Sequence, residues 1–280
     1  MKTVFSAEIE FITPAFLAGA DQNVPEIRVP SIRGELRWWF RALGGTQSEE
    51  AELFGAVHGS VLASAVVLRV SDVAAKFGQD ISVPQESDKG YLYYFAKVSG
   101  NKVGVHRTQG SHYFAPGTKF RLEALLRRTI NPGIQDKLQL AFSAFSAFGA
   151  LGLRATRGCG ALACGSGVSR DELNRLVKVC DSNRMYVRAT TDSVYDSGEK
   201  CQYSLGGFLR AFRKNNHISG KSRSALGFSD GSKARAASAL RLRPVKVDGK
   251  FLPIVVYTDA ACSQGSLCEL FMRETMLLQS

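Results

Sequence analysis

Three arginines are spaced so that they can act together. Arg33, Arg37 and Arg41 are four residues apart within the segment SIRGELRWWFRAL, and we term them the arginine column. On a helix this spacing places the side chains on one face, where each like-charged pair costs about 0.2–0.5 kcal/mol unless a negative group lies opposite. RNA phosphates could supply that charge. The spacing therefore predicts an RNA or phosphate contact; an exposed basic face, or pairing with acids elsewhere in the fold, is the alternative.

Arg28 and two tryptophans flank the arginine column. Arg28 precedes the predicted helix and adds to its positive charge. Trp38 and Trp39 are adjacent, so at least one indole must leave the apolar stripe of the helix. An exposed indole beside arginines can stack on a base, or it can be buried against a partner subunit. We include Trp38 among the predicted RNA contacts.

A second group combines four glycines with two arginines. Its members are Gly149, Gly152, Arg154, Arg157, Gly158 and Gly160, and we term it the glycine-rich loop. Glycine permits positive φ angles, successive backbone N–H groups can cradle an anion, and arginine can clamp a phosphate with its forked donors. A helix C-cap followed by a tight turn accounts for only one or two of these glycines. The loop therefore predicts a contact with the RNA backbone.

The positive charge of the chain is concentrated. Its 280 residues carry 36 Lys and Arg against 25 Asp and Glu, a formal charge of +11. Residues 204–250 hold eleven basic side chains, Arg235 and Arg241 among them, against only Asp230 and Asp248, which gives +9. A like-charged block is either a solvated loop or a surface for a polyanion. We predict that this stretch follows a phosphate backbone.

Several other kinds of chemistry have no support in the sequence. The six cysteines form no C-x-x-C pair, and the four histidines are scattered, so we predict reduced thiols, no metal site and no cofactor. No H-E-x-x-H, G-x-S-x-G or complete phosphate-binding loop is present. No apolar run approaches the length that crosses a bilayer. We therefore expect a cytoplasmic protein with no membrane partner.

The order of elements predicts an α+β fold. Strands are predicted at 3–12, 61–70, 118–127 and 159–164, with helices at 31–43, capped by Ser31, and 135–150. The order strand, helix, strand, strand, helix, strand is that of a ferredoxin-like unit, in which an antiparallel sheet carries two helices on one face. The segment 72–117, with a further strand at 91–98, is predicted to be an inserted loop.

The second half is predicted to be less regular. Helices are expected at 169–180, capped by Ser169, and at 203–214. A hairpin is expected around the Asp248–Gly249 pair, and a short amphipathic helix at 265–279.

Three blocks of sequence resemble a known family. They are ITPAFLAGADQN, EIRVPSIRGELRWWFRAL and EEAELFG within 12–55; LGLRATRGCGAL at 151–162; and RAASALRLRPVKVDGKFLPIVV at 235–256, where Ala239 replaces the usual proline. These blocks are similar to those of the RAMP family, the RNA-binding subunits of CRISPR effector complexes. The first block resembles the opening of the first Cmr subunit of the type III-B system.

The resemblance implies a fold and a function. The fold would be two ferredoxin-like (RRM-like) units in tandem, at 1–165 and 166–280, with the second degenerate. The function would be a non-catalytic RNA-binding subunit of an antiviral ribonucleoprotein, contacting guide RNA toward its 3′ region. The partners would be guide RNA, target RNA and other Cmr or RAMP subunits. The predicted RNA-binding residues are Arg28, Arg33, Arg37, Trp38, Arg41, Gly152, Arg154, Arg157, Gly158, Arg235 and Arg241.

Two alternatives remain open. The first is a RAMP endoribonuclease that trims CRISPR precursor RNA, for which His217, among basic residues, is the best general acid or base. The second is an architectural protein whose arginines contact acidic subunits instead of RNA.

Overall fold

The elements alternate between short helices and antiparallel strands. The computed structural model describes residues 1–21, 24–57, 61–78, 92–93, 113–218, 226–229, 235–238, 240–258 and 273–276. The helices are α1 (Val29–Ala42), α2 (Gln47–Phe54), α3 (Pro132–Phe148), α4 (Arg170–Ser182) and α5 (Gly198–Asn215). The strands are β1 (Lys2–Phe11), β2 (Val66–Ala74), β3 (Phe77–Gly78), β4 (Tyr113–Phe114), β5 (Lys119–Leu126), β6 (Leu162–Cys164), β7 (Met185–Ala189), β8 (Leu226–Ser229), β9 (Arg235–Ser238), β10 (Arg241–Val247) and β11 (Lys250–Thr258). The chain therefore has a mixed α+β fold with antiparallel sheets, as predicted.

A four-stranded sheet organises the first half. Its strand order is β2-β5-β1-β6, and every neighbouring pair is antiparallel. Side chains alternate along β5, where Phe120 and Leu122 are buried while Lys119 and Arg121 are exposed. Helices α1 and α3 pack against each other and share the apolar core with the buried face of this sheet. The same alternation occurs along the second half of β1, where the period-two pattern predicted a strand at 3–12.

Helix starts follow local capping chemistry, with one correction. Helix α4 begins after Ser169, whose hydroxyl accepts a hydrogen bond from the Glu172 backbone N–H, as predicted. Helix α1, however, begins at Val29 rather than after Ser31, and its N-cap residue Arg28 makes no side-chain cap. Pro30 lies in the first turn, where its missing N–H costs nothing and its fixed φ suits a helix. The proline therefore sets the start of α1, and Ser31 lies inside the helix.

One helix was missed from the sequence, and some predictions fall outside the described residues. Helix α2 has a complete capping box, in which Thr46 and Glu49 each bind the backbone N–H of the other. The predicted strand at 61–70 begins only at Val66. Most of the predicted strand at 91–98 and helix at 265–279, and much of the insertion at 72–117, lie outside the described residues.

A second antiparallel sheet has the order β10-β11-β7. The predicted hairpin joins β10 to β11, and both residues of its turn, Asp248 and Gly249, have positive φ angles of 46° and 81°. Such angles suit a two-residue hairpin turn, and aspartate and glycine tolerate them. The largest apolar cluster includes residues on both sides of 165, such as Ile9 and Val245, so one core continues through the predicted domain boundary.

A buried guanidinium joins the two halves. Arg243 of β10 is fully buried, and its Nε and Nη1 donate hydrogen bonds of 2.5 Å to the backbone oxygens of Phe148 and Ala155. Its Nη2 lies 3.8 Å from Glu35 Oε1, which also accepts a 3.0 Å bond from Arg241. Burial, and then the charge of Arg241, lowers the pKa of the Arg243 guanidinium to about 9.

The described residues contain no sign of a metal centre or a membrane span. No group of three or more potential metal ligands occurs among them, and none of the described helices is long and apolar enough to cross a bilayer. Cys159, Cys164, Cys180 and Cys201 are free thiols. Burial raises the pKa of Cys159 and of Cys180 to about 12, so these two thiols are unreactive at neutral pH.

We predict that Arg243→Ala lowers the free energy of unfolding by about 3–5 kcal/mol, because it leaves buried carbonyl oxygens without donors and removes one partner of a buried ion pair. The midpoint of urea unfolding measures this loss. Arg175→Ala is the control, since it breaks only an exposed pair with Glu172 and should cost less than about 0.5 kcal/mol. Equal losses in the two variants would contradict the structural role of Arg243.

Candidate nucleic-acid interface

Two members of the arginine column line a groove of about 780 Å³ between α1, α2 and the loop that leads into β2. Arg37 and Arg41 contribute from α1, and Glu50 contributes from α2. Val57 and Val61 of the loop are 79% and 86% exposed and also line the groove. The groove thus combines cationic side chains with exposed apolar ones.

One carboxylate is shared by two members of the column. Glu50 Oε1 accepts hydrogen bonds from Arg37 Nε at 2.5 Å and from Arg41 Nη1 at 2.6 Å. Glu50 is buried, whereas the side chains of Arg37 and Arg41 are 41% and 48% exposed. Pairing with an acid elsewhere in the fold, the alternative raised from the sequence, is therefore partly correct. Three guanidinium groups against one carboxylate still leave the cluster with a formal charge of +2.

The electrostatics of Glu50 follow from this geometry. Burial of the Glu50 carboxyl raises its pKa, but the hydrogen bonds and charges of Arg41 and Arg37 together outweigh that effect, and the pKa lies below its ordinary value. The carboxylate is therefore ionised at neutral pH. It holds the two arginines in place without neutralising both of them.

Arg33 is the member of the column that has no acidic partner among the described residues. Its Nη1 donates to Ser64 Oγ at 3.1 Å and to the backbone oxygen of Phe54 at 3.4 Å. Burial lowers the pKa of the Arg33 guanidinium, and the charges of Arg37 and Arg127 lower it further. These contacts hold the side chain against two residues that line the groove and leave its positive charge in place.

Trp38 and Arg241 contact each other on the other side of α1. The Arg241 guanidinium carbon lies 3.5 Å from the centroid of the Trp38 ring, a cation–π contact. Arg241 also donates to Glu35 and is only 16% exposed. The protein's own cation therefore covers one face of the indole that we predicted would stack on a base, and Arg241 is not free to bind a phosphate. Arg28 is exposed, with Glu26 at 3.9 Å.

The glycine-rich loop divides into an exposed part and a buried part. Gly152 is exposed with φ of 95°, and a Cβ there would lie 2.5 Å from the backbone oxygen of Phe16. Arg154, partly exposed, also has a positive φ of 61°. Gly158 is buried with φ of 76°, and a Cβ there would crowd Pro244. The loop conformation thus requires these glycines for packing against neighbouring segments.

Arg157 requires a correction. It is 6% exposed, its Nη1 donates to Ser238 Oγ at 2.8 Å, and its Nη2 donates to the backbone oxygen of Leu226. The side chain therefore holds the β8–β9 pair against the loop instead of clamping a phosphate. Burial makes this role exclusive, because withdrawing the guanidinium would leave buried acceptors without donors.

The basic stretch 204–250 is also partly neutralised by the protein's own acids. Lys246 lies 3.4 Å from Glu10, and Lys250 lies 2.6 Å from Asp196. With Arg241 and Arg243 engaged as described, each of the four cations of the β10–β11 hairpin has an acidic residue of the protein nearby, although the Lys250 pair is exposed. This corrects the prediction that these four side chains are available to a phosphate backbone. The backbone of Arg235 lies in β9, opposite Ser229, and its side chain lies outside what the structure describes.

The solvent face of the four-stranded sheet is a mosaic of charges. Glu8 pairs with Lys119 at 2.7 Å, and Asp72 pairs with Arg121 at 3.0 Å. The outward positions of β1 and β5 in this region, Ser6, Glu8, Glu10, Lys119, Arg121 and Glu123, include no aromatic residue. RRM domains stack bases on aromatic side chains of the sheet. This face therefore lacks the stacking platform that an RRM-like reading implies.

Two groups of site residues were missed from the sequence. Glu50 could have been placed, because the Thr46–Glu49 capping box marks the start of α2 and puts Glu50 in its first turn. Arg127 and Arg128 follow β5 directly. Two adjacent cations at the end of a strand match neither a helical spacing nor a known motif, so the sequence did not indicate a site there. The position of Arg127 near Arg33, and of Arg128 against α2, emerges only from the packing of the sheet.

Comparison with known proteins settles the family. The model of the RAMP superfamily matches residues 8–163, which is more than half of the chain. The chain belongs to the RAMP superfamily. The match includes α1 with its arginine column and ends at β6, so the candidate groove lies within it.

Two curated relatives come from Pyrococcus furiosus. The chain is 29% identical over 164 residues to the CRISPR system Cmr subunit Cmr1-1, covering 55% of this chain and 46% of that protein. It is 53% identical over 38 residues to Cmr1-2, covering 14% of this chain and 20% of that protein. The matched segments thus span less than half of either curated relative.

Solved structures share the fold of this RAMP protein. The crystal structure of Cmr1 from Pyrococcus furiosus in its apo form has a TM-score of 0.62 at 20% identity and covers 90% of this chain and 87% of that chain. A chain in a cryo-electron microscopy structure of type III-B Cmr-beta bound to cognate target RNA has a TM-score of 0.54 at 13% identity, covering 92% of this chain and 94% of that chain. At these identities the likeness concerns the fold.

We predict that Glu50→Gln removes a pH-dependent part of the stability. A carboxyl whose folded-state pKa lies below its unfolded value stabilises the fold above the unfolded pKa, and this stabilisation is lost as the pH falls through the folded pKa. The difference in free energy of unfolding between wild type and Glu50→Gln should therefore shrink as the pH falls from about 7 to below about 4. Chemical denaturation at several pH values measures it.

The control for this prediction is Glu8→Gln, which breaks an exposed pair with Lys119 and should change stability little at any of these pH values. A Glu50→Gln difference that stayed constant with pH would show that the shared carboxylate does not carry the effect.

Proposed function

We propose that this RAMP protein is a non-catalytic RNA-binding subunit of a type III-B CRISPR ribonucleoprotein in antiviral defence, and that it contacts guide RNA toward its 3′ region. The observation that carries the proposal is the arginine column in its groove. Two half-exposed arginines that line the groove share one carboxylate, and Arg33 beside them has no acidic partner among the described residues, so the column and Glu50 together keep a formal charge of +2. Phosphates are the ligands that such a surface attracts.

The comparisons support the choice of complex. The curated relatives are Cmr subunits of a CRISPR system, and one solved structure of similar fold comes from a type III-B complex bound to target RNA. We extend these associations to this chain: its partners would be guide RNA, target RNA and the other Cmr or RAMP subunits, and it would act in the cytoplasm with no cofactor.

The domain organisation belongs to the same proposal. We infer that residues 1–165 form a ferredoxin-like unit, because the strand order β2-β5-β1-β6, with α1 and α3 sharing the core of one face, matches that arrangement. The region near 72–117 would be its inserted loop. Residues 166–280 would form a second, degenerate unit built on the β10-β11-β7 sheet, sharing one continuous core with the first.

The proposed interface keeps some of the predicted residues and reassigns others. Arg28 and the arginine column would contact phosphates along α1, and Gly152 with Arg154 would contribute from the glycine-rich loop. Arg235 stays a prediction. Trp38, Arg157, Gly158 and Arg241 support the fold beneath this surface, as their contacts described above indicate.

A matched pair of triple variants tests the groove. Arg37→Gln with Arg41→Gln and Glu50→Gln removes two cations together with the acid that they share, so no buried carboxylate is left unpaired. We expect weaker binding of single-stranded guide RNA, with the slope of log affinity against log salt flatter by about 0.7–1.4 units, since each lost phosphate contact accounts for about 0.7. Fluorescence anisotropy across a salt series measures the slope.

The control triple is Lys119→Gln with Arg121→Gln and Glu8→Gln, on the solvent face of the sheet. It makes the same formal charge change, −1, and replaces the same kinds of group. An equal loss in both triples would indicate a general charge effect and count against the groove. Unchanged RNA binding by the groove triple, combined with loss of assembly with other Cmr subunits, would favour the architectural alternative.

We predict that the protein leaves RNA intact. His217 is exposed at the end of α5 with a positive φ of 50°, and among the described residues no hydrogen bond to its imidazole occurs. A general acid or base for 2′-OH attack needs a held orientation and a partner group. Repeat RNA incubated with the purified protein and chelator should remain full length on a gel. If the RNA is cut, and His217→Ala abolishes the cutting, the protein would instead be the endoribonuclease.

A further inference from the structure

A second, smaller groove lies at the end of the four-stranded sheet where β1 begins and β5 ends. Its volume is about 310 Å³. Its polar lining comes from Lys2, Arg127, Arg128, Thr129 and Gln135, and we term it the lysine–arginine groove. The first four of these residues are exposed, and Gln135 belongs to the first turn of α3.

No acidic residue is among the described residues that line this groove. Lys2, Arg127 and Arg128 form no salt bridge within the described part of the chain, so they give the groove a formal charge of +3. Arg128 Nη2 donates to the backbone oxygen of Glu52 at 3.1 Å, a contact that orients the guanidinium without neutralising it. Like charges held together in this way repel one another. An anionic ligand would relieve that repulsion.

The lysine–arginine groove lies near the groove of the arginine column, with which it shares no lining residue. Arg33 donates to the hydroxyl of Ser64, and the backbone oxygen of the next residue, Ala65, accepts a 2.9 Å hydrogen bond from the Arg127 N–H. Arg33 and Arg127 are close enough for the charge of Arg127 to act on Arg33. Arg128 binds the Glu52 backbone oxygen of α2, the same helix that lines the first groove. The two cationic surfaces are therefore neighbours.

We propose that the lysine–arginine groove binds the phosphodiester backbone of the RNA strand that occupies the first groove, and so extends the path of that strand across the end of the sheet. This inference rests on the proposed function. The lining offers ammonium and guanidinium groups for phosphates and the side chains of Thr129 and Gln135 for phosphate or ribose oxygens. It contains no aromatic ring on which a base could stack, so the contact would be independent of sequence.

The test substitutes Lys2→Ala together with Arg127→Ala. Neither side chain has a hydrogen-bond or ion-pair partner among the described residues, so the fold should be retained, which thermal unfolding verifies. The control is Lys119→Ala with Arg121→Ala, which removes the same formal charge from the opposite end of β5. Binding of labelled single-stranded guide RNA of about 5, 10, 20 and 40 nucleotides is measured across a salt series, because these lengths bracket the usual site sizes of such surfaces.

The expected result depends on RNA length. With the longest RNA, the double variant at Lys2 and Arg127 should show a salt slope flatter by about 1.4 units, for two lost phosphate contacts, while the control matches wild type. The shortest RNA needs only the groove of the arginine column. With this RNA, the double variant at Lys2 and Arg127 should therefore also match wild type. The groove triple at Arg37, Arg41 and Glu50, in contrast, should weaken binding at every length.

Other outcomes separate the two proposals. Suppose that the double variant at Lys2 and Arg127 matches wild type at every length, while the triple variant at Arg37, Arg41 and Glu50 weakens binding. The lysine–arginine groove is then not on the RNA path, and the proposed function stands. If the double variant at Lys2 and Arg127 binds RNA normally but no longer assembles with other Cmr subunits, the lysine–arginine groove is a protein contact and the inference is overturned. If wild type itself binds no RNA at any length, both proposals fall.

Discussion

The buried guanidinium of Arg243 is the contact on which the arrangement of both halves depends. It lies in β10, yet its hydrogen bonds end on the last residue of α3 and on the glycine-rich loop, and its charge faces Glu35 of α1. A fully buried cation is tolerated only where acceptors surround it. The acceptors here come from three separate segments. Arg243 therefore links the second sheet to the helices of the first half at one buried point, within the apolar core that the two halves share.

Helix α1 can serve two purposes because its two sides carry different partners. Glu35 and Trp38 face β10, where Arg241 pairs with the carboxylate and covers the indole. The arginine column faces α2 and the groove on the other side. Helix α1 therefore carries an acidic side chain on the side that faces β10 and basic side chains on the side that faces α2. The side that binds the second half anchors the helix, and the other side remains free to keep an excess of positive charge.

Burial decides which arginines hold the fold and which can hold a ligand. Arg157 donates to a hydroxyl and a carbonyl oxygen, and Nε and Nη1 of Arg243 donate to carbonyl oxygens, so removing either side chain from these partners would cost more than an exposed phosphate contact returns. Arg37 and Arg41 are half-exposed and share one carboxylate, so a phosphate can approach them without breaking the pair. The distinction follows from geometry and not from residue type, since all four are arginines.

Local chemistry accounts for what the sequence could predict. The helix α4 with its Ser169 cap, the Asp248–Gly249 hairpin and the strands around the first core each depend on residues close together in the chain, and these predictions are confirmed. The partners of the arginines could not be predicted in the same way. Arg157 meets Leu226 and Ser238, and Arg241 meets Glu35, over separations of at least 69 residues, and only the folded sheet order brings them together.

The same packing explains why the proposed surface would read shape and charge and not base identity. Contacts to phosphates fix the position of a strand, whereas contacts to base edges or stacking rings are what distinguish one sequence from another. Arg241 covers the ring of Trp38, the sheet face carries ion pairs in place of aromatic side chains, and the two neighbouring grooves present ammonium and guanidinium groups. A subunit that must hold guides of many sequences needs this kind of surface, because any base preference would make its affinity depend on the guide.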